Sequence, residues 1–181
     1  INLSRFNNRQ LKPEVIDEIK TQINYSAGNT YLLFMGRLVK DKGIVELINA
    51  FTAIQPSRPA LRLLLVGDFE QTLDPLPNHI TEIIKNNDAV IHISWTNKVE
   101  YFMNIADSFV FPSHREGFPN VLLQAGAMKL PIICSNIPGN IDIVQNMKTG
   151  LLFQTADESS LIEAMEDALN HRVNVSNIKK K

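Results

Sequence analysis

The stretch Tyr31–Ile54, YLLFMGRLVKDKGIVELINAFTAI, decides the fold. Residues 31–35 form an unbroken apolar run, the pattern of a strand buried on both faces rather than one. GRLVKDKG, Gly36 to Gly43, interrupts it with two glycines around Arg37, Lys40 and Lys42. Ile44, Leu47, Ile48, Phe51 and Ile54 then recur at the spacing of one helix face. A strand, a charged loop and a helix thus follow one another directly.

The same alternation continues down the chain. LRLLLVG (61–67), AVIHI (89–93), SFVFP (108–112), PIICS (131–135) and GLLFQ (150–154) read as further strands. NHITEIIKNN (78–87), VEYFMNIA (99–106), a segment from Asn120 to about Met128, and 157–170 read as helices. In 157–170, Leu161, Ile162, Met165 and Leu169 oppose Glu163, Glu166 and Asp167, and Thr155 to Glu158 has the spacing of a capping box. Repeated strand–helix units predict an α/β, doubly wound, mostly parallel six-stranded sheet with helices on both faces. The sequence divides into a leading linker and helix (1–30), one Rossmann-like domain (31–172) and a basic tail (173–181).

Composition removes several function classes. A formal charge of -1 gives no global electrostatic case for nucleic acid or an anionic membrane. No apolar run approaches the ~20 residues of a membrane span. The single cysteine, Cys134, cannot staple the chain and lies in an apolar run, which predicts a buried structural thiol and a reducing, cytoplasmic setting. Sequons at Asn2, Asn24 and Asn174 are read as chance, because no secretory signal is visible. The first residue, Ile1, and the polar stretch behind it suggest a cut made inside a longer protein.

In open α/β sheets, ligands bind where the strands end. After 31–35, Gly36 permits close approach of a ligand, Arg37 can grip phosphate with two donors, and Lys42 adds a point charge before a helix start. That is a diphosphate cradle without the P-loop or GxGxxG pattern; the same residues also fit a solvated basic loop. After 108–112 comes HREGF, with Pro119 at the expected first helical position. Val121, Leu122, Ala125 and Met128 form the apolar side, and small Gly126 and Ala127 would allow close packing on the sheet. Gln124 lies one turn beyond Asn120 and on its side, so Glu116 and Gln124 address one place. A carboxylate and an amide suit the hydroxyls of a sugar and a ribose. The alternative pairs Glu116 with Arg115 or Arg37 and leaves Gln124 at the surface.

Three segments in order, GRLVKDKG, FPSHREGFPNVLLQAGAM and NIPGNIDIVQNMKTGLLF, resemble the C-terminal half of a retaining glycosyltransferase of the GT-B fold, in the large family 4. The resemblance runs from about residue 1 to 172, with INLSRF similar to the linker entering that half. It implies that Gly36, Arg37 and Lys42 bind the donor diphosphate, and that Glu116 contacts the donor sugar as the catalytic-site carboxylate. Gly117, Phe118, Pro119 and Asn120 would face sugar and phosphate. Gln124 would face the ribose, where the family has a second glutamate. Ser94 and Trp95 fall in the loop that lines the nucleobase.

Three departures stand out. Gln124 replaces a charge-assisted ribose contact with a neutral one, at a cost of about 1 kcal/mol. Asp142 stands where Glu is usual. Lys129 stands where the family has glycine, which predicts a left-handed residue strained by about 1 kcal/mol.

The resemblance implies transfer of a hexose from a nucleoside-diphosphate sugar, with UDP preferred, to a glycan or lipid-linked acceptor in surface polysaccharide synthesis. It implies no cofactor and no metal, in keeping with the lack of an Asp-x-Asp motif. The acceptor site and a catalytic histidine would belong to an N-terminal half outside this sequence, its partner, which would also carry any peripheral membrane contact. The alternatives are a GT-B-fold sugar-nucleotide epimerase and a non-catalytic nucleotide-sugar-binding module degraded at Gln124.

Overall fold

The computed structural model describes residues 2–171. The basic tail read at 173–181 and the sequon at Asn174 lie outside the described residues. Six strands, β1 (Thr30–Met35), β2 (Leu61–Val66), β3 (Val90–Ile93), β4 (Ser108–Phe111), β5 (Ile132–Ser135) and β6 (Gly150–Phe153), form one sheet in the order β3-β2-β1-β4-β5-β6. Every pairing is parallel, so the sheet is all-parallel where the sequence promised mostly parallel. All six strands lie within a residue or two of their predicted places.

Among the described residues six α-helices accompany them: α1 (Pro13–Gln22), α2 (Ile44–Ile54), α3 (Asn78–Asn86), α4 (Val99–Ile105), α5 (Asn120–Ala127) and α6 (Glu158–His171). Helix α2 packs beside α3 and α6, and α1 packs beside α4. Successive residues of β1 point to opposite faces, yet Tyr31 to Met35 are all buried, so both faces of the sheet are covered. Helix α2 buries Ile44, Leu47, Ile48, Phe51 and Ile54, the residues its periodicity selected. Each contributes roughly 2 kcal/mol by leaving water, which outweighs the β-branched cost of its isoleucines. Phe6, Ile19 and Ile23, ahead of β1, are buried in the same core.

Three local expectations need correction. Asp157 caps α6: its carboxylate accepts from the Ser160 N–H at 3.0 Å and its carbonyl from the Leu161 N–H. Thr155 is no cap; left-handed Ala156 turns the chain after it. Pro119 is the residue before α5 rather than its first helical one. Gly126 is exposed, and a Cβ there would meet nothing within 4 Å, so it does not serve close packing. Leu122 and Ala125 supply the buried side instead.

The chain runs outward through β1, β2 and β3, then returns to the far side of β1 for β4, β5 and β6. Strand order therefore reverses between β1 and β4. In open parallel sheets such a switch point is where ligands bind, so the loops leaving the carboxyl ends of β1 and β4 are the place to look.

Candidate functional site

The two loops singled out by sequence, 36–43 and 112–119, leave those two strands. Gly43 joins them. It is left-handed, with φ 69°, and ends a short turn, Lys40–Lys42, directly before α2. A Cβ on Gly43 would stand 2.1 Å from the Pro112 carbonyl oxygen, so only glycine lets the first loop lie against the end of β4.

Side chains then cross-link the loops. The Lys42 ammonium meets Glu116 Oε1 at 2.5 Å, with the two side chains only 18% and 14% exposed. Arg115 pairs with Asp41 at 3.1 Å, and the His114 N–H donates to the Asp41 carbonyl at 2.9 Å. His114 Nε2 lies 3.0 Å from Glu46 Oε1 on α2. The loop after β2 joins through Asp74, which accepts from the Asp41 N–H at 2.6 Å and pairs with Lys40 at 3.3 Å. Burial works to raise the Asp74 pKa, but the Asp41 N–H and Lys40 outweigh it and hold the carboxyl below its ordinary range. Glu116 is thus partnered by Lys42, not by the Arg115 or Arg37 that residue types alone offered.

Of the three loop cations, only Arg37 is left uncommitted. It is exposed and has no ion pair within 4 Å among the described residues. Its field adds a minor share to the lowered pKa of Glu70, which hydrogen bonds from the Thr72 N–H and hydroxyl mainly cause. Gly36 precedes Arg37 at the end of β1, with its carbonyl against the backbone of Gly67.

The remaining predicted residues spread along the same edge of the sheet. Gly117 and Phe118 are exposed, Phe118 by 59%, Pro119 is buried, and Asn120 is exposed at the start of α5. Gln124 is half-buried, one turn on, and its side chain makes no hydrogen bond among the described residues. Ser94 and Trp95 follow β3, two strands from β1. Trp95 is 73% exposed, with its N–H fixed by Asp68 at 2.9 Å.

Sequence reading missed the polar layer beneath these loops. Asn140 is fully buried, and its amide donates to the Ser135 carbonyl at 3.0 Å and to Ser135 Oγ at 3.1 Å. Ser135 Oγ donates to the Ser113 carbonyl at 2.5 Å. This ties the ends of β4 and β5 to the loop behind them. Left-handed Gly139 lies under the Gly117 carbonyl, where a Cβ would stand 2.4 Å from the oxygen. Glu46 Oε2, Ser113 Oγ and Asn140 Oδ1 are buried with no hydrogen-bond partner among the described residues. The signal was a polar residue just past each apolar run: Ser113 after SFVFP, and Asn140 inside the quoted NIPGN.

Chemically, the edge offers a free guanidinium, a shielded ammonium–carboxylate pair, an amide and an exposed indole. Such a set suits an anionic, hydroxyl-rich, aromatic ligand. No cluster of three or more metal-ligating side chains occurs among the described residues. No helix among them is long and apolar enough to cross a membrane. Cys134 is buried, as its apolar run predicted, and burial pushes its thiol up to about 12.

Known proteins resemble this chain in sequence and in fold. The chain is 36% identical over 142 residues to the capsular polysaccharide biosynthesis glycosyltransferase CapM of Staphylococcus aureus, covering 78% of this chain and 37% of that protein. It is 30% identical over 167 residues to a Bacillus subtilis protein described as a putative teichuronic acid biosynthesis glycosyltransferase, TuaC, covering 91% and 39%. The chain thus spans well under half the length of these curated relatives. Among solved structures, Anabaena HepE in complex with UDP superposes with a TM-score of 0.83 at 17% identity, over 98% of this chain and 49% of that one. The C-terminal domain of the Francisella tularensis group 1 protein LpcC gives 0.80 at 18%, over 98% and 92%. Residues 15–181 match the family described as glycosyl transferases group 1. With most of its length inside that match, and with the two loops meeting at the switch point of a parallel sheet, the chain belongs to the glycosyl transferases of group 1.

Proposed function

We propose that this chain is the donor-binding, C-terminal half of a retaining GT-B glycosyltransferase of family 4, and that it holds a nucleoside-diphosphate sugar, with UDP as the base-bearing part. The observation that carries the reading is the meeting of Lys42 and Glu116 across the β1/β4 switch point. A cation for the diphosphate and a carboxylate for sugar hydroxyls stand side by side there. The UDP and UDP-glucose complexes of HepE, which has the same fold, favour a uridine donor. CapM and TuaC favour an acceptor in surface polysaccharide. Work at the cytoplasmic face of the membrane would follow.

In this reading Arg37 and Lys42 neutralise the departing diphosphate, helped by the N-termini of α2 and α5. Gly36 lets the diphosphate approach the backbone. Glu116 orients the donor sugar and stabilises positive charge at its ring. Gly117 to Asn120 line the sugar and phosphate, Gln124 the ribose, and Ser94 and Trp95 the base. These cations supply the charge that a metal would otherwise bring, so the reading needs no metal and no cofactor. An N-terminal half would bring the acceptor site and a catalytic histidine, so the chain alone binds donor and transfers nothing.

Calorimetric titration of the chain with UDP, GDP and ADP tests this. Binding of UDP, weakened by Arg37→Ala, is expected. Absence of binding to all three would overturn the reading, and turnover by the chain alone would overturn its assignment as an inactive half. Gln124 favours one second reading, a nucleotide-sugar-binding module that has lost transfer. A large rate gain from Gln124→Glu in the longer enzyme would favour it; little change would favour an active enzyme.

A further inference from the structure

We propose that Glu116 sets the site's preference between substrate and product: it disfavours the free nucleoside diphosphate and favours the same diphosphate carrying a sugar. The inference rests on the donor-site reading above and adds selectivity to it.

The argument starts from the Lys42–Glu116 pair at 2.5 Å. With both side chains mostly shielded, solvent screens their charges poorly. Among the described residues no other partner compensates Glu116. Neighbouring Arg115 is committed to Asp41, and His114 to Glu46. Any phosphate oxygen that takes up the Lys42 ammonium at an ordinary ~2.8 Å must therefore lie within roughly 5 Å of the Glu116 carboxylate. At that range like charges repel strongly enough to shift binding and protonation equilibria.

Ligand chemistry then separates substrate from product. A free nucleoside diphosphate ends in a phosphate whose second ionisation lies near pH ~6, so at neutral pH it carries about one more negative charge than its glycosylated form. A purely cationic cradle of Arg37 and Lys42 would hold the more charged product more tightly. Glu116 reverses this. It competes with the terminal phosphate for Lys42 and repels it. Against a sugar-bearing diphosphate it faces hydroxyl groups instead, which donate to a carboxylate. Discrimination of this kind works by a repulsive element as much as by an attractive one.

The experiment is calorimetric titration of the whole chain with UDP and with UDP-glucose, for wild type, Glu116→Gln and Glu116→Ala. Gln is nearly isosteric and keeps hydrogen-bonding capacity while removing the charge. Expected is about tenfold tighter UDP binding in Glu116→Gln and about tenfold weaker UDP-glucose binding, a roughly hundredfold change in their ratio. Glu116→Ala is read the same way should the Gln variant fail to fold. UDP binding that is unchanged or weaker in the folded variant, with wild type binding UDP, overturns the inference and leaves the donor-site reading standing. Absence of binding of either ligand to folded wild type overturns both.

Discussion

The two ends of the sheet make opposite use of similar material. At the amino ends, a groove of about 890 Å³ opens beside Thr30, Leu61, Ser108 and Pro131. Among the described residues, none of its charged residues forms an ion pair. Asp107 accepts from the Tyr31 N–H, Arg58 bonds Asn170, and Lys129 faces solvent. The carboxyl ends are more constrained. Three ion pairs and the His114–Glu46 contact join the loops after β1, β2 and β4 to one another and to α2, and left-handed glycines let backbones touch. Strand direction places the candidate site, because parallel strands deliver all their outgoing loops to one edge.

The largest expected effect tests that constraint. Gly43→Val puts a β-branched side chain at φ 69° and drives its Cβ into the Pro112 carbonyl. Backbone strain and the clash together should cost about 3 kcal/mol or more and abolish nucleotide binding. Gly28 is the control at the other edge. It lies just before β1, and a Cβ there would meet only Ser26 Oγ, at 3.8 Å. Gly28→Ala should change stability by less than about 0.5 kcal/mol. Denaturant unfolding of both variants reads the difference; equal losses would break the contrast between the ends.

Charge comes next. Arg37→Ala removes an exposed group with no ion pair among the described residues, so unfolding free energy should stay within about 0.5 kcal/mol of wild type. UDP affinity should nevertheless fall by about 2 kcal/mol, near thirtyfold, if Arg37 grips the diphosphate. Arg58→Ala, at the amino-end groove, should leave UDP affinity unchanged. Titration calorimetry on both variants separates a ligand-binding cation from a surface one.

A smaller effect belongs to Gln124. Its half-buried side chain makes no internal hydrogen bond, so it is available to a ligand. Gln124→Glu should strengthen UDP binding by about 1 kcal/mol, the difference between a neutral and a charge-assisted contact to ribose. Loss of affinity would mean that no hydroxyl is donated there.

The fold was legible because its signals are local. Unbroken apolar runs such as 31–35 require burial on both faces, and the spacing of Ile44, Leu47, Phe51 and Ile54 fixes which side of α2 turns inward. The loops after β1 and β4 were legible for the same reason, since strand direction places them. What sequence could not supply was pairing across distance. Nothing within HREGF says that Glu116 meets Lys42, seventy-four positions earlier, rather than adjacent Arg115. The Ser113–Ser135–Asn140 chain was hidden likewise, because each member reads alone as an ordinary loop residue. The Thr155 capping box failed at shorter range: the spacing was right, but Asp157, two residues on, took the cap.

The smallest expected effect tests backbone strain at one residue of the amino edge. Lys129 follows α5 with φ 60°. The Leu130 N–H bonds the Ala125 carbonyl and the Lys129 N–H the Gly126 carbonyl, each at 3.0 Å, the paired bonds of a Schellman end. That motif places a left-handed residue where Lys129 stands, which costs a side-chain-bearing residue roughly 1–2 kcal/mol. Lys129→Gly removes this cost. Two terms oppose the gain: glycine adds about 0.4–1 kcal/mol of unfolded-chain entropy, and the cation's favourable position at a helix C-terminus is lost, worth about 0.3 kcal/mol at an exposed site. The strain term should win by about 0.5 kcal/mol, raising the melting temperature by roughly 1–2 °C for a chain of this size. Lys129→Ala keeps the Cβ and loses only the charge, so it should not raise it. Calorimetric melting of the two variants decides. A neutral or lowered value for Lys129→Gly would mean that Lys129 carries no net strain.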